Sequence, residues 1–159
     1  MALISVDKDP TTRTMTFVTE HHAPVERAWQ LWADPRLLER WWGPPTFPAT
    51  VTDHELAPGG AVSYYMTSPE GDKHHGWLRF VEIEAPNRLV FEEGFADDAG
   101  QPASTMPVTT MTVALAAYAG GTRMTITVAF ASDADMARLL EMQMDVGMGE
   151  ALGQTDALL

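Results

Sequence analysis

Hydrophobic residues change period along this chain, and the changes divide it into elements. Residues 13–22 set Met15 and Phe17 between threonines, the alternation of a half-buried strand. Pro24 stands where a helix can begin, because the first helical position has no use for its missing N–H. Val25, Ala28, Trp29 and Trp32 then recur at i, i+3, i+4 and i+7, one apolar face of a helix. Asp34-Pro35 repeats the start signal as N-cap and first helical residue. Leu37, Leu38, Trp41 and Trp42 form the apolar side of a second short helix, which Gly43-Pro44-Pro45 ends.

From Phe47 to Phe130 the period is two. Strands are predicted over 47–56, 61–67, 75–84, 88–96, 107–118 and 122–130. The turns between them are marked by Pro58-Gly59-Gly60, Ser68 to Asp72, Ala85-Pro86-Asn87, a polar loop over 96–102, and Gly120-Gly121. Each strand has one apolar and one polar face, as in an antiparallel sheet covered on one side. The cover is the C-terminal segment. Ser132 caps it, Asp133 and Asp135 favour the positive end of its dipole, and one long helix is predicted to about residue 158. Its apolar face carries Met136, Leu140, Met144, Met148, Ala151 or Leu152, Thr155 and Leu158. The expected class is α+β, a strongly bent antiparallel sheet gripping a long terminal helix, in one domain over 1–159. A bent sheet leaves a gap beneath such a helix, and gaps of that kind hold apolar ligands.

Composition narrows the partners. The net charge of −12 comes from 22 acidic and 10 basic residues, with one lysine, Lys73, after residue 8. That balance repels phosphate backbones and anionic lipid, so neither nucleic acid nor a membrane is an expected partner. No apolar run reaches the roughly 18 residues of a membrane span. The first residues lack a basic segment followed by a long apolar stretch, so a cytoplasmic protein is expected. The chain contains no cysteine, which excludes disulfides and thiolate chemistry. It also lacks a phosphate loop, a dinucleotide fingerprint, a metalloprotease helix and a Gly-x-Ser-x-Gly elbow, and no cofactor is expected.

The histidine pairs His21-His22 and His74-His75 invite a metal reading. Neighbours on a strand point to opposite faces, however, so neither pair can chelate one ion, and no metal site is expected. Glu82, Glu92 and Glu93 stand in apolar strands. If the alternation holds, one of Glu92 and Glu93 points inward and the other outward. His54 with an inward glutamate, taken as Glu92, is the candidate acid–base pair, against the plainer reading of a solvated strand face. Trp41 and Trp42 lie about 100° apart around a helix, so one of them can face a cavity while the other packs the core. Ten methionines, four of them in the last helix, suit a surface that accommodates varied apolar shapes. Gly147, Gly149 and Gly153 each cost a helix about 1 kcal/mol and call for a compensation, either close approach to the sheet or room for a ligand.

Several stretches, in this order, resemble the helix-grip superfamily of START, SRPBCC and birch-pollen-allergen-like proteins. They are Pro24-Val25-Glu26-Arg27-Ala28-Trp29, Asp34-Pro35 through Trp41-Trp42-Gly43-Pro44, and Pro58-Gly59-Gly60. Glu82-Ile83 with Pro86-Asn87-Arg88-Leu89-Val90-Phe91, Gly121-Thr122-Arg123-Met124-Thr125, and Gly147-Met148 follow. Within that superfamily the chain is most similar to the branch named for activators of heat-shock-protein-90 ATPase, over roughly residues 13 to 158. It departs from the branch at Met148, where tryptophan is common, and at Ala57, where a basic residue commonly precedes Pro-Gly-Gly.

The resemblance implies the helix-grip fold. It leaves three functions open, because members include carriers, cyclases and hydrolases, and co-chaperones. The first is a binding protein for a small hydrophobic or aromatic molecule, lined by Trp42, Val62, Tyr64, Met66, Phe80, Met111, Met144 and Met148, with Tyr64 as the polar handle. The second is a cyclase, dehydratase or hydrolase using the same cavity through His54 and Glu92. An interaction protein acting on a chaperone ATPase ranks last, and a homodimer is left open.

Overall fold

The computed structural model describes residues 3–159. In chain order its elements are β1 (Leu3–Asp9), β2 (Thr14–His21), α1 (Val25–Ala33), α2 (Pro35–Trp41), β3 (Ala49–His54), β4 (Ala61–Thr67), β5 (Lys73–Glu84), β6 (Arg88–Phe95), β7 (Thr109–Tyr118), β8 (Gly121–Phe130), α3 (Asp133–Glu141) and α4 (Met144–Leu152), followed by a short 3-10 helix at Thr155–Leu158. The strands form one eight-stranded antiparallel sheet in the order β1-β2-β8-β7-β6-β5-β4-β3. The α+β helix-grip architecture is as the sequence predicts.

Two elements differ from expectation. β1 is an additional strand, paired with β2 at one sheet edge. Its residues are half-buried or exposed throughout, so it carries no inside-outside alternation to betray it. The C-terminal helix is also two helices rather than one. Gln143 adopts φ 60 and ψ 36, a left-handed conformation that costs a residue with a Cβ about 1 kcal/mol. The break turns α4 toward β1, where Lys8 meets Asp145 at 2.6 Å. No glycine or proline marks the break, and the reason for it is tertiary.

The caps behave as the residue types dictate. The Asp34 side chain accepts a hydrogen bond from the N–H of Arg36, and that of Ser132 accepts from the N–H of Asp135. α2 also covers the far edge of the sheet. Arg36 Nη2 donates to the Val51 carbonyl at 2.9 Å, and Glu39 Oε1 accepts from the Val51 N–H at 2.9 Å, so two side chains replace a neighbouring strand at that residue.

The core follows the inward rows of the sheet. One row runs across four strands as Met15, Val128, Met111 and Phe91, all buried. Above it sits an indole cluster. Trp32 meets Trp41 edge-on at 4.8 Å and Trp42 at 5.8 Å, and Trp42 meets Phe91 at 6.2 Å. Gln154 Nε2 donates to the Gly43 carbonyl at 2.7 Å, tying the C-terminal segment to the end of α2. No helix of the described residues is long and apolar enough to cross a membrane.

Candidate functional site

The adjacent tryptophans have separate roles. Trp41 is fully buried, and its Nε1 donates to the Leu31 carbonyl at 2.9 Å. The Trp32 Nε1 is likewise occupied, donating to Met124 Sδ at 3.2 Å. Trp42 borders a cleft between the sheet and the junction of α3 with α4. Its Nε1 is buried without a hydrogen-bond partner among the described residues. The Tyr64 hydroxyl is close enough to feel that N–H, but not in hydrogen-bonding geometry.

The cleft has two lobes that share Glu93, Met142 and Met144. One, of ≈ 180 Å³, lies between β6, the start of β7 and α3, with Phe95, Pro107 and Leu139 in its wall. The other, of ≈ 220 Å³, is bounded by Trp42, Met66, Met111 and Met148, with Gly147 forming part of its roof. A Cβ on Gly147 would meet nothing within 4 Å. At that position glycine is not required for close packing; it adds open space. Taken together, the lobes fall within the lower end of small-molecule sites, roughly 300 Å³ and upward.

Five of the residues expected to line the cavity therefore surround the second lobe: Trp42, Met66, Met111, Met144 and Met148. Val62 and Phe80 do not. Both are buried in the solid core, at the end of the sheet where Phe80 exchanges backbone hydrogen bonds with Gly59 and Gly60. Tyr64 stands behind Trp42, with ring centroids 6.2 Å apart. Its ring lies across Gly76, its partner on β5, where any Cβ would overlap the phenol. That passage lets the hydroxyl approach Glu93 on β6.

The candidate pair His54 and Glu92 is not brought together. Glu92 lies on the outer face, opposite Arg79 and Thr110, and forms an ion pair with Arg79 at 3.5 Å. His54 Nε2 donates to the Trp32 carbonyl at 3.0 Å, while its ring rests edge-on against Phe80. Its role there is to tie β3 to α1.

The inward carboxyl is Glu93. It continues the cross-strand row Val62, Leu78, Glu93, Thr109 and Phe130, in which its neighbours are all buried. A signal for this was present in the sequence: Leu89, Phe91 and Phe95 share the phase of Glu93, whereas Glu92 shares that of Val90 and Gly94. Thr109 Oγ1 donates to Glu93 Oε2 at 3.1 Å. Burial pushes the carboxyl up from 4.5 to about 7, and the Thr109 hydrogen bond, then the nearby Tyr64 hydroxyl, oppose the shift without cancelling it. Burial, then the neighbouring carboxylate, pushes the Tyr64 phenol far above its usual range. Part of the Glu93 surface stays accessible because it faces the cleft. Among the described residues no group of three or more His, Asp or Glu side chains could hold a metal ion.

Comparison with known proteins agrees with this architecture. The family model "Activator of Hsp90 ATPase homolog 1-like protein" matches residues 22–159, and the chain belongs to that family. Nothing among curated proteins matches it. A solution structure of a protein from Arthrobacter aurescens is 49% identical with a TM-score of 0.93, covering 97% of this chain and 90% of that one. The crystal structure of protein Ms6760 from Mycobacterium smegmatis is 42% identical with a TM-score of 0.91, covering 99% of this chain and 96% of that one. DynU16, from the dynemicin biosynthetic locus, is 18% identical with a TM-score of 0.60, covering 88% of this chain and 46% of that one, and shares the fold.

Proposed function

We propose that the chain binds a small apolar or aromatic molecule in the cleft between the sheet and the α3–α4 junction. The observation that carries this reading is the cleft itself, where Trp42, Met66, Met111, Met144 and Met148 converge on open space instead of closing a core. Methionine side chains re-pack at low cost, and a tryptophan face offers a flat stacking surface. Glu93 replaces Tyr64 as the group that fixes orientation, since its carboxyl faces both lobes.

Native mass spectrometry beside a thermal-shift screen of aromatic, polyketide-like and fatty ligands tests it. A ligand at a hundred times its dissociation constant adds about 2.7 kcal/mol to stability. Met148→Ala, in the roof, is expected to change the affinity of any ligand found while leaving the circular dichroism unaltered. A flat screen across all three classes refutes the reading.

A second reading, turnover in the same cleft, is favoured by one observation. A carboxyl held at about 7 can give or take a proton near neutrality, as a general acid or base must. Chemical change of a bound ligand in the wild type, lost in Glu93→Gln, is its expected sign; a ligand recovered unaltered from both proteins refutes it.

A further inference from the structure

Among the described residues Glu93 is the one ionisable group bordering either lobe, and its surroundings are those of an anion lacking its cation. A threonine hydroxyl donates to one carboxylate oxygen, and the Tyr64 hydroxyl approaches the same group. Both contacts favour the charged form. The rest of the wall is apolar: Phe95, Pro107, Leu139, Met142 and Met144 on one side, Trp42, Met66, Met111 and Met148 on the other. Among the described residues no lysine, arginine or histidine borders the cleft.

Four of the cations on neighbouring elements are engaged elsewhere. On β5, Arg79 pairs with Glu92 across the outer face. On α3, Arg138 donates to the Thr105 carbonyl and to Met106 Sδ. On β1, Lys8 holds Asp145 of α4. α2 contributes Arg36, which is bound to Val51 and Glu39.

We propose that the cleft selects a lipophilic cation, an aromatic or alicyclic amine whose ammonium group meets the Glu93 carboxylate while its hydrocarbon part lies among Trp42 and the methionines. This rests on the binding reading above and names its ligand class. Three further features favour such a ligand. An ammonium restores the missing counter-charge of a buried carboxylate, the main cost of ionising it there. The tryptophan face attracts a cation as well as a ring. The net charge of −12 raises the local concentration of cations and lowers that of anions.

The test is a charge series on one ring system: 2-naphthylmethylamine, 2-naphthylmethanol and 2-naphthoate, titrated into the whole protein by calorimetry at fixed ionic strength. The amine is expected to bind at least about tenfold more tightly than the alcohol, the scale of one charge-assisted hydrogen bond, and the carboxylate more weakly than either. The amine's affinity should rise from about pH 5.5 to about pH 8 as Glu93 ionises, while that of the alcohol stays level. In Glu93→Gln the amine and the alcohol should bind alike at every pH. Equal binding of amine and alcohol by the wild type overturns the cation preference and leaves the apolar cleft standing. Binding of none of the three overturns both. The wild-type series decides the matter even if the variant fails to fold.

Discussion

Replacing Glu93 with glutamine should make the protein more stable, and increasingly so as the pH rises. The unfolded chain releases the Glu93 proton near 4.5, whereas the folded chain holds it until about 7. Between those values the folded state binds more protons than the unfolded one, so stability falls as pH increases through that window. Below it both states are protonated and the site costs nothing; above it the loss is complete. At 1.36 kcal/mol per pH decade the full loss is about 3 kcal/mol. Glutamine keeps an oxygen for the Thr109 hydroxyl and carries no charge at any pH. Because the isoelectric point is ≈ 4.6, the comparison is best begun at about pH 5.5, where the chain is still charged and soluble and about 2 kcal/mol of the effect remains to be seen. Urea denaturation of both proteins at intervals to about pH 8.5 measures it. The difference between variant and wild type should widen by about 2 kcal/mol and then level off above about pH 7. Every other titrating group contributes equally to both curves and cancels. Parallel curves across the range refute the argument, and with it the placement of an ionisable carboxyl against an apolar wall.

Further outcomes follow from the same geometry. Gly147→Ala should raise stability by about 0.5–1 kcal/mol, because a Cβ there meets nothing and alanine favours the helix; a lower Tm would contradict the open roof. Trp41→Phe should cost at least about 1 kcal/mol more than Trp42→Phe, since the first strips a partner from the buried Leu31 carbonyl and the second removes an N–H that has none; equal losses in urea denaturation would refute this. His21 is buried between Thr19 and Asp156, and burial lowers its pKa more than Asp156 raises it. The unfolded chain therefore takes up a proton first, and stability should be lost as the pH falls below about 6.5; His21→Gln should flatten that limb, and an unchanged slope would refute the assignment.

The fold could be read from the sequence because its signals agreed across levels. The alternation of Met111, Val113 and Leu115, the Gly120-Gly121 turn and the Asp34-Pro35 helix start each point to the element observed. Where a single element faces two environments the reading fails. β1 has no fully buried face, so its periodicity is silent. In β6, Leu89, Val90 and Phe91 are all buried, which blurs the phase and allows Glu92 to be mistaken for its neighbour. The methionines of the cleft could be anticipated because a bent sheet requires filler beneath its cover. Val62 and Phe80 share that phase but are packed over, Phe80 by the His54 ring, and alternation records which face a residue occupies, not what covers it there. The break at Gln143 carries no glycine or proline to announce it, and the helix that follows meets β1 through Lys8 and Asp145, residues more than a hundred positions apart.

The two side chains on Val51 have a consequence for association. A sheet grows by offering unpaired N–H and carbonyl groups to an incoming strand. At the β3 edge the central pair of those groups is already taken by Glu39 and Arg36. A second extended chain would have to displace an ion pair before it could register there. At the opposite edge, β1, no side chain of the described residues takes the backbone groups in this way; α4 meets that strand at the Lys8–Asp145 ion pair, and Asp7 and Asp9 add charge beside it. Growth of the sheet is thus hindered differently at its two ends, by side-chain hydrogen bonds to the backbone at β3 and by charge at β1. Salt that screens those charges removes the second barrier and leaves the first intact.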